Sequence, residues 1–537
     1  MNRILVVLAL IMSVLAPALA DDEGHHHEDL NTQQLGTVHF PVSCSSAVQK
    51  SFERGVALLH SFWYEEAQKQ FEDVSRQDPQ CAMAYWGIAM SRWHELWNQP
   101  DAGTLKAANE ALAKANELKP TSDREREYLA AIATFYRDSD RLDHEKRAAA
   151  YSNAMEKMYT KYPDDREAAT FYALSLLASE RDDDTTFTAR KKAAEVLEKL
   201  FAMEPNHPGI AHYLIHSYDK PQLAQLGLPA ARNYAKIAPA APHALHMPSH
   251  IFARLGLWQD DINSNLASIV ATRKTAALHM GGEGHQFHAM DFLVYAYLQS
   301  GREVEAKHVI EDVQSMPPMK DMYGMGFDPR GYALSKFPAT YALELHHWSE
   351  AAALQVVPKA FVGDTSITYW ARAIGAAHLG NLKQAKRDAA QIEVVHKKLL
   401  ADKKKEFANT VEQDRQEVLA WIAHAQRKDE QAIKILRGLA EKEESTGEEP
   451  EDIPAREMLA DMLLEANHPD QALAEYEADL KFNPNRFNAL YGAARAAEAS
   501  GKTAKANQYY AQLVKVCEGS RSDRPELAKA RDLLAKK

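Results

Sequence analysis

Two pairs of histidines in the middle of the chain have a spacing that suits metal binding. His212 precedes His216 by four residues, and His246 precedes His250 by four residues. Residues four apart lie on one face of a helix, so each pair can direct two imidazoles at the same ion. Neutral imidazole is the commonest metal ligand in proteins, and Zn, Cu and Fe(II) all suit it. The spacing therefore predicts a transition-metal site for Zn, Cu or Fe.

A third stretch adds an imidazole and a carboxylate. His288 and Asp291 are three residues apart, so they also share a helix face. Asp291 can ligate an ion directly or orient an imidazole from behind. We predict these metal ligands or close supports: His212, His216, His246, His250, His288 and Asp291. Weaker candidates nearby are His243, His285, Asp219 and His207.

The elements that must position these residues repeat along the chain. A small residue is followed four positions later by an aromatic one, as in Ala67 and Phe71 or Ala472 and Tyr476. This pattern resembles the tetratricopeptide repeat, a 34-residue unit of two antiparallel helices with small residues where the helices cross. The resemblance covers about residues 48–537. It implies an all-α, TPR-like α-solenoid whose helix pairs stack into a superhelix.

Twelve positions fit the crossing residue of such a unit, and about eight of them fit well. Successive positions are about one repeat apart, or one repeat plus a loop, so we expect about 8–12 repeats. The positions are Ala67, Ala108, Tyr151, Ala193, Gly227, Asp261, Ala306, Ala351, Ala385, Ala432, Ala472 and Ala506.

The resemblance also implies where a ligand would bind. Tetratricopeptide-repeat proteins hold ligands at positions 2, 5, 9 and 12 of the first helix, which faces a concave groove. Counting from Pro208, Pro242 and Phe287 places the predicted histidines at these positions on three neighbouring helices. Two functions stay open: a metal site, binding or catalytic, or a metal-free groove that grips a protein or peptide. Whether the protein is an enzyme stays open as well.

The first residues are typical of an export signal. Arg3 is followed by an apolar run and then by Ala18-Leu19-Ala20, a small-x-small cleavage site. We therefore predict a signal peptide over residues 1–20, a flexible acidic and His-containing tail with a lead-in over residues 21–47, and the solenoid over residues 48–537. The mature protein is expected in the periplasm or secreted, without a membrane span.

Sulfur-containing residues leave two questions open. Cys44 and Cys81 lie 37 positions apart and, after export, could form a disulfide or remain separate thiols. Four methionines recur at every third position in one loop and favour either Cu(I) binding or a simple apolar plug. They are Met316, Met319, Met322 and Met325.

Charge and missing motifs narrow the function classes. The net charge is −12, which does not provide the basic surface that nucleic-acid binding requires. The chain has no Gly-rich phosphate loop and no Cys-x-x-Cys-His sequence. We therefore expect no nucleic-acid partner and no nucleotide, flavin or covalent haem.

Overall fold

The computed structural model describes residues 32–96, 99–181, 184–280, 284–319, 328–447 and 451–535. From Thr32 onward these residues belong to one compact unit. The predicted signal peptide lies outside the described residues, as do Met322 and Met325. In the described ranges, the regular elements are α-helices and one short 3₁₀ helix, Thr32–Leu35.

Consecutive helices pack against each other in pairs along the described chain, as in a TPR-like solenoid. The first helices of the pairs are α1 Gln49–His60, α3 Ala82–Met90, α5 Asp123–Tyr136, α7 Arg166–Ala178, α9 Pro208–Tyr218, α11 Pro242–His246 with α12 Pro248–Arg254, α14 His285–Gln299, α16 Arg330–Glu344, α18 Asp364–His378, α20 Lys405–Ala425, α22 Ala455–Glu465 and α24 Phe487–Ala499. The second helices are α2 Tyr64–Gln77, α4 Ala102–Glu117, α6 His144–Lys161, α8 Thr188–Phe201, α10 Ala224–Ile237, α13 Trp258–Ala277, α15 Glu303–Ser315, α17 Trp348–Ala353, α19 Leu382–Ala401, α21 Asp429–Thr446, α23 Pro469–Phe482 and α25 Thr503–Val516, followed by α26 Pro525–Ala535.

The crossing residues predicted from sequence all lie on second helices, and all are buried. Small residues on the first helices also allow close packing, as the first pair shows. The Phe71 ring of α2 packs between Gly55 of α1 and Gly87 of α3, and a Cβ at either glycine would overlap the ring. Close helix packing therefore depends on small residues around one large aromatic side chain.

The first helix of the sixth pair differs from the sequence-based expectation. One continuous helix was expected from Pro242, but the structure has α11 and α12 with Met247 between them. Pro248 begins α12, and its ring and missing N–H interrupt the helical hydrogen bonding. The next first helix, α14, also begins at His285 instead of near Phe287.

Helix pairs far apart in sequence touch each other. The Trp63 indole N–H donates to the Met280 carbonyl at 3.0 Å, and the Trp258 indole N–H donates to the Asn485 carbonyl at 2.9 Å. A simple solenoid has contacts between neighbouring repeats only. Here the chain curls tightly enough for one stretch to rest on another more than 200 residues away.

The described residues contain no helix long and apolar enough to cross a membrane.

Candidate metal centre

Three imidazoles from α9 and α11 converge. His212 and His216 lie one turn apart on α9, and His243 lies in the first turn of α11. The Nε2 atom of His212 lies 3.1 Å from Nε2 of His216 and 3.1 Å from Nε2 of His243. Ligand nitrogens around a tetrahedral ion with Zn–N bonds of about 2.0–2.1 Å lie roughly 3.4 Å apart. These three residues, which we name the first tri-histidine group, are spaced to share one ion.

A second set of three imidazoles comes from α11, α12 and α14. The Nε2 atom of His250 lies 3.0 Å from Nε2 of His246 and 3.3 Å from Nε2 of His288. One nitrogen of each ring lies within 4.8 Å of the others. We name these residues the second tri-histidine group. The described residues place no carboxylate in either group.

The two groups face each other. The ring centres of His243 and His246 are 6.1 Å apart, and those of His216 and His250 are 6.4 Å apart. His243 and His246 lie on the same short helix, α11, so adjacent turns of backbone serve both groups. The six imidazoles therefore form one continuous set, which we name the enclosure, and the atoms of each group are spaced to share an ion.

The outward-facing nitrogens of two of these rings have partners that fix the protonation of each ring. Nδ1 of His212 donates to the His60 carbonyl at 2.7 Å, and Nδ1 of His246 donates to Oδ1 of Asn265 at 2.6 Å. The Asn265 amide is itself oriented because its Nδ2 donates to Oδ1 of Asp261 at 2.7 Å. A neutral imidazole with its proton on Nδ1 has a lone pair on Nε2, which is the form that binds a metal.

His250 is held by a charged partner. Its Nδ1 donates to Oδ2 of Asp219 at 2.8 Å, and Nε of Arg254 donates to Oδ1 of the same carboxylate at 3.0 Å. Burial opposes ionisation of Asp219, but the neighbouring Arg254 and His250 hold its pKa well below the ordinary value. Asp219 therefore orients His250 and lies outside the second tri-histidine group.

These outer hydrogen bonds create a conflict inside the second group. His246 and His250 both use their Nδ1 protons outward, so in the neutral rings both Nε2 atoms carry lone pairs. Those atoms lie 3.0 Å apart. Two lone pairs at this distance repel each other unless the two atoms share a proton or a metal ion. The geometry therefore suits a shared proton or a bound metal cation.

Burial favours the neutral form of His212, His246 and His288. His212, His243 and His246 are almost completely buried, whereas His216 and His288 are partly exposed. Burial lowers the pKa of both His212 and His288 to about 3. Burial and then the neighbouring imidazoles lower the pKa of His246 well below its ordinary value. The neutral ring is the state that a metal ion requires.

Each group rests against a phenylalanine. The Phe62 ring lies 4.4 Å from His212 and 5.5 Å from His243, measured between ring centres. The Phe292 ring lies 4.6 Å from His250 and 5.2 Å from His288. Both phenylalanines are fully buried, and Phe62 has a left-handed φ of 53°, which is unusual for a bulky residue. These rings hold the imidazoles in place and limit access of water.

A third polar cluster supports the first group from behind. Glu167 on α7 accepts from Nε2 of His60 at 2.9 Å and from Nε2 of His207 at 2.8 Å. A Cβ at Gly209 would overlap the His60 ring, so the glycine allows α1 and α9 to approach closely. These three side chains are also spaced to share an ion. Here, however, the Glu167 carboxylate already accepts a hydrogen bond from each imidazole. We therefore interpret the cluster as a support that holds the His60 carbonyl in place for His212.

The remaining predicted candidates lie around the two groups. His285 lies 5.2 Å from His243 between ring centres, and His207 belongs to the Glu167 cluster. Asp291 lies outside both groups, where its Oδ2 accepts from the Tyr332 hydroxyl at 2.7 Å. His243, a weaker candidate from sequence, is a full member of the first group.

Sequence reasoning missed several residues of the site. Asn265 lies on a second helix, so it occupies no groove position of a first helix. Phe292 lies four residues beyond His288, a spacing at which it could have been found.

No protein-family description and no curated protein matches this chain. Among solved structures, a human IFIT1 dimer with m7Gppp-AAAA is similar at a TM-score of 0.37 and 12% identity, covering 86% of this chain and 95% of that chain. A monomeric IFIT1 mutant with Gppp-AAAA is similar at a TM-score of 0.34 and 12% identity, covering 90% and 99%. Likeness at this level carries no functional argument.

Proposed function

We propose that this protein is an exported metalloprotein that holds two transition-metal ions, one in each tri-histidine group. The observation that carries the proposal is the 3.0 Å contact between the Nε2 atoms of His246 and His250. The Nδ1 atoms of both rings face acceptors, so a cation between the two Nε2 atoms relieves the repulsion. Zn, Cu and Fe(II) are the metals that imidazole suits.

The disulfide between Cys44 and Cys81 supports the export part of the proposal. Disulfides persist in oxidising compartments such as the periplasm or the extracellular space. The sequence left their pairing open. A paired state agrees with the signal peptide predicted over residues 1–20, which the mature protein would lack.

Elemental analysis of the protein, expressed with its own N-terminal region and purified without an affinity tag, tests the proposal. We expect two equivalents of Zn, Cu or Fe per chain. The double variant His246→Ala/His250→Ala should retain one equivalent. His308→Ala is the matched control, because His308 is exposed on α15 away from both groups and its loss should leave two equivalents.

Protein that contains no metal, and whose unfolding temperature does not change with Zn, Cu or Fe, would contradict the proposal. A ligand at a hundredfold excess over its Kd stabilises the native state by about 2.7 kcal/mol, so binding would be visible. Capture of a protein partner that persists in strong chelator, and is lost on changing these histidines, would instead favour the metal-free groove.

A further inference from the structure

The chemistry of the six ligands narrows the choice of metal; the argument rests on the proposed function. All six are imidazoles, and neither group contains a carboxylate among the described residues. Open Fe(II) sites commonly combine two histidines with one carboxylate, and Mg, Ca and Mn prefer oxygen ligands. An all-imidazole set suits Cu and Zn.

The total charge of the bound ions favours copper(I) over zinc at this site. Six neutral imidazoles contribute no negative charge, and the carboxylate behind His250 is already paired with Arg254. Asp291, near His288 in sequence, interacts electrostatically with the ammonium of Lys336. Placing a charge in a buried site is costly unless it is compensated. Two Zn²⁺ ions bring a charge of 4+ into the enclosure, whereas two Cu(I) ions bring 2+.

The coordination number leaves room for a further ligand. Three nitrogens per ion leave a position open on each, and rings of the two groups lie 6.1 and 6.4 Å apart between their centres. One small ligand between the groups can therefore fill a position on both ions. His216 and His288, one ring from each group, are partly exposed, which gives a small molecule a way in.

We propose that the two ions are copper and that they bind dioxygen between the first and second tri-histidine groups. Each Cu(I) gives up one electron, and dioxygen takes up both to become a peroxide dianion bridging two Cu(II) ions. No proton is consumed. The charge of the two metals rises from 2+ to 4+, and the peroxide contributes 2−, so the enclosure keeps a total of 2+ throughout.

The surroundings suit this ligand. Phe62 and Phe292 cover the two groups with apolar rings and are fully buried. Peroxide is released from copper when protons reach it, so excluding water prolongs its lifetime. The outward hydrogen bonds of His212, His246 and His250 hold the ligands in place while the metal changes charge.

The test starts from the full-length protein, freed of metal and loaded with two equivalents of Cu(I) without air. Dioxygen is then added, and its uptake, the near-ultraviolet spectrum and the electron paramagnetic resonance (EPR) signal are measured. We expect one dioxygen per two coppers and a new charge-transfer band. The EPR signal should be far below one spin per copper, because a bridging ligand couples the two Cu(II) spins.

Two variants test whether dioxygen uptake requires both tri-histidine groups. His216→Ala and His288→Ala each remove a partly exposed ring from one group, and each should abolish dioxygen uptake while keeping at least one copper. His308→Ala should behave like the natural chain. Because each variant retains one intact group, binding of one zinc ion shows that a variant is folded.

Two results would overturn the inference. One is copper that binds but takes up no dioxygen; the other is oxidised protein with a full spin per copper, which indicates separate ions. If two zinc ions bind in either case, the proposed metal centre survives while the dioxygen inference fails. If neither copper nor zinc binds, the proposed function itself fails.

Discussion

Among single residues, those behind the imidazoles decide what the imidazoles can bind. Asp219, Asn265 and the His60 carbonyl each accept an Nδ1 proton and so turn a lone pair inward. The same ligands without these acceptors would adopt either tautomer and donate hydrogen bonds to each other. In the proposed metal centre, the outer partners thus prepare the rings to bind cations.

The variant Asp219→Asn tests this at the second group. The amide oxygen can still accept a hydrogen bond from Nδ1 of His250, but it is a weaker acceptor than the carboxylate. The amide also lacks the negative charge that pairs with Arg254. We expect the metal affinity of the second group to fall about 10–100-fold, the usual effect of removing such a partner. Metal titration of the natural and variant proteins measures it. An unchanged affinity at the second group would show that Asp219 has only a structural role.

The spacing of the histidines predicted their convergence only in part. Four-residue spacings indicated the pairs His212/His216 and His246/His250, and these pairs hold in space. The division into two groups could not be predicted, because it depends on the direction of α11, which places His243 and His246 in different groups. The positions of Asn265 and Phe62 depend on tertiary packing, which has no local signal.

At the scale of elements, the lead-in before α1 is attached to α3 by the disulfide. Cys44 lies in the lead-in, and Cys81 caps the N-terminus of α3, 37 residues later. A crosslink that closes a loop of this length restricts the unfolded chain. Sequence alone could not decide this pairing, because it does not show how close two cysteines come in the folded chain.

We expect the double variant Cys44→Ser/Cys81→Ser to lose about 3–4 kcal/mol of unfolding free energy, from the entropy of a loop of this size. Denaturant unfolding with and without reductant measures it. Reductant should destabilise the natural chain and leave the variant unchanged, since Cys517 is a buried free thiol. A natural chain that is insensitive to reductant would contradict the expectation.

At the scale of the whole solenoid, contacts between distant helix pairs hold separate stretches of the chain together. Gly256 follows α12 with a left-handed φ of 62°, and a Cβ there would overlap the backbone oxygen of Pro484. Repeats were recognisable from sequence because each carries its own small and aromatic residues. The contacts between distant repeats could not be predicted, because they depend on small rotations that accumulate over many repeats.

The variants Gly256→Ala and Gly380→Ala separate backbone strain from this contact. Both glycines follow a first helix with a left-handed φ, but a Cβ at Gly380 meets nothing. We expect Gly380→Ala to cost about 1–2 kcal/mol from φ alone and Gly256→Ala about 2–5 kcal/mol, because overpacking against Pro484 is added. Denaturant unfolding measures both. Equal losses would mean that the contact contributes nothing to stability.

The net charge of −12 still argues against a nucleic-acid partner, which remains a prediction from composition. Filter binding of the natural chain to RNA across a range of salt concentrations would measure any such affinity.

If the proposed metal centre is correct, the short helix α11 links the two ions mechanically. An ion bound by His243 restrains the backbone of α11, which also carries His246. The second ion then costs less conformational entropy to bind, because that backbone is already ordered. The second equivalent of metal should then bind more tightly than the first. Partly loaded samples would contain mostly empty and doubly filled molecules.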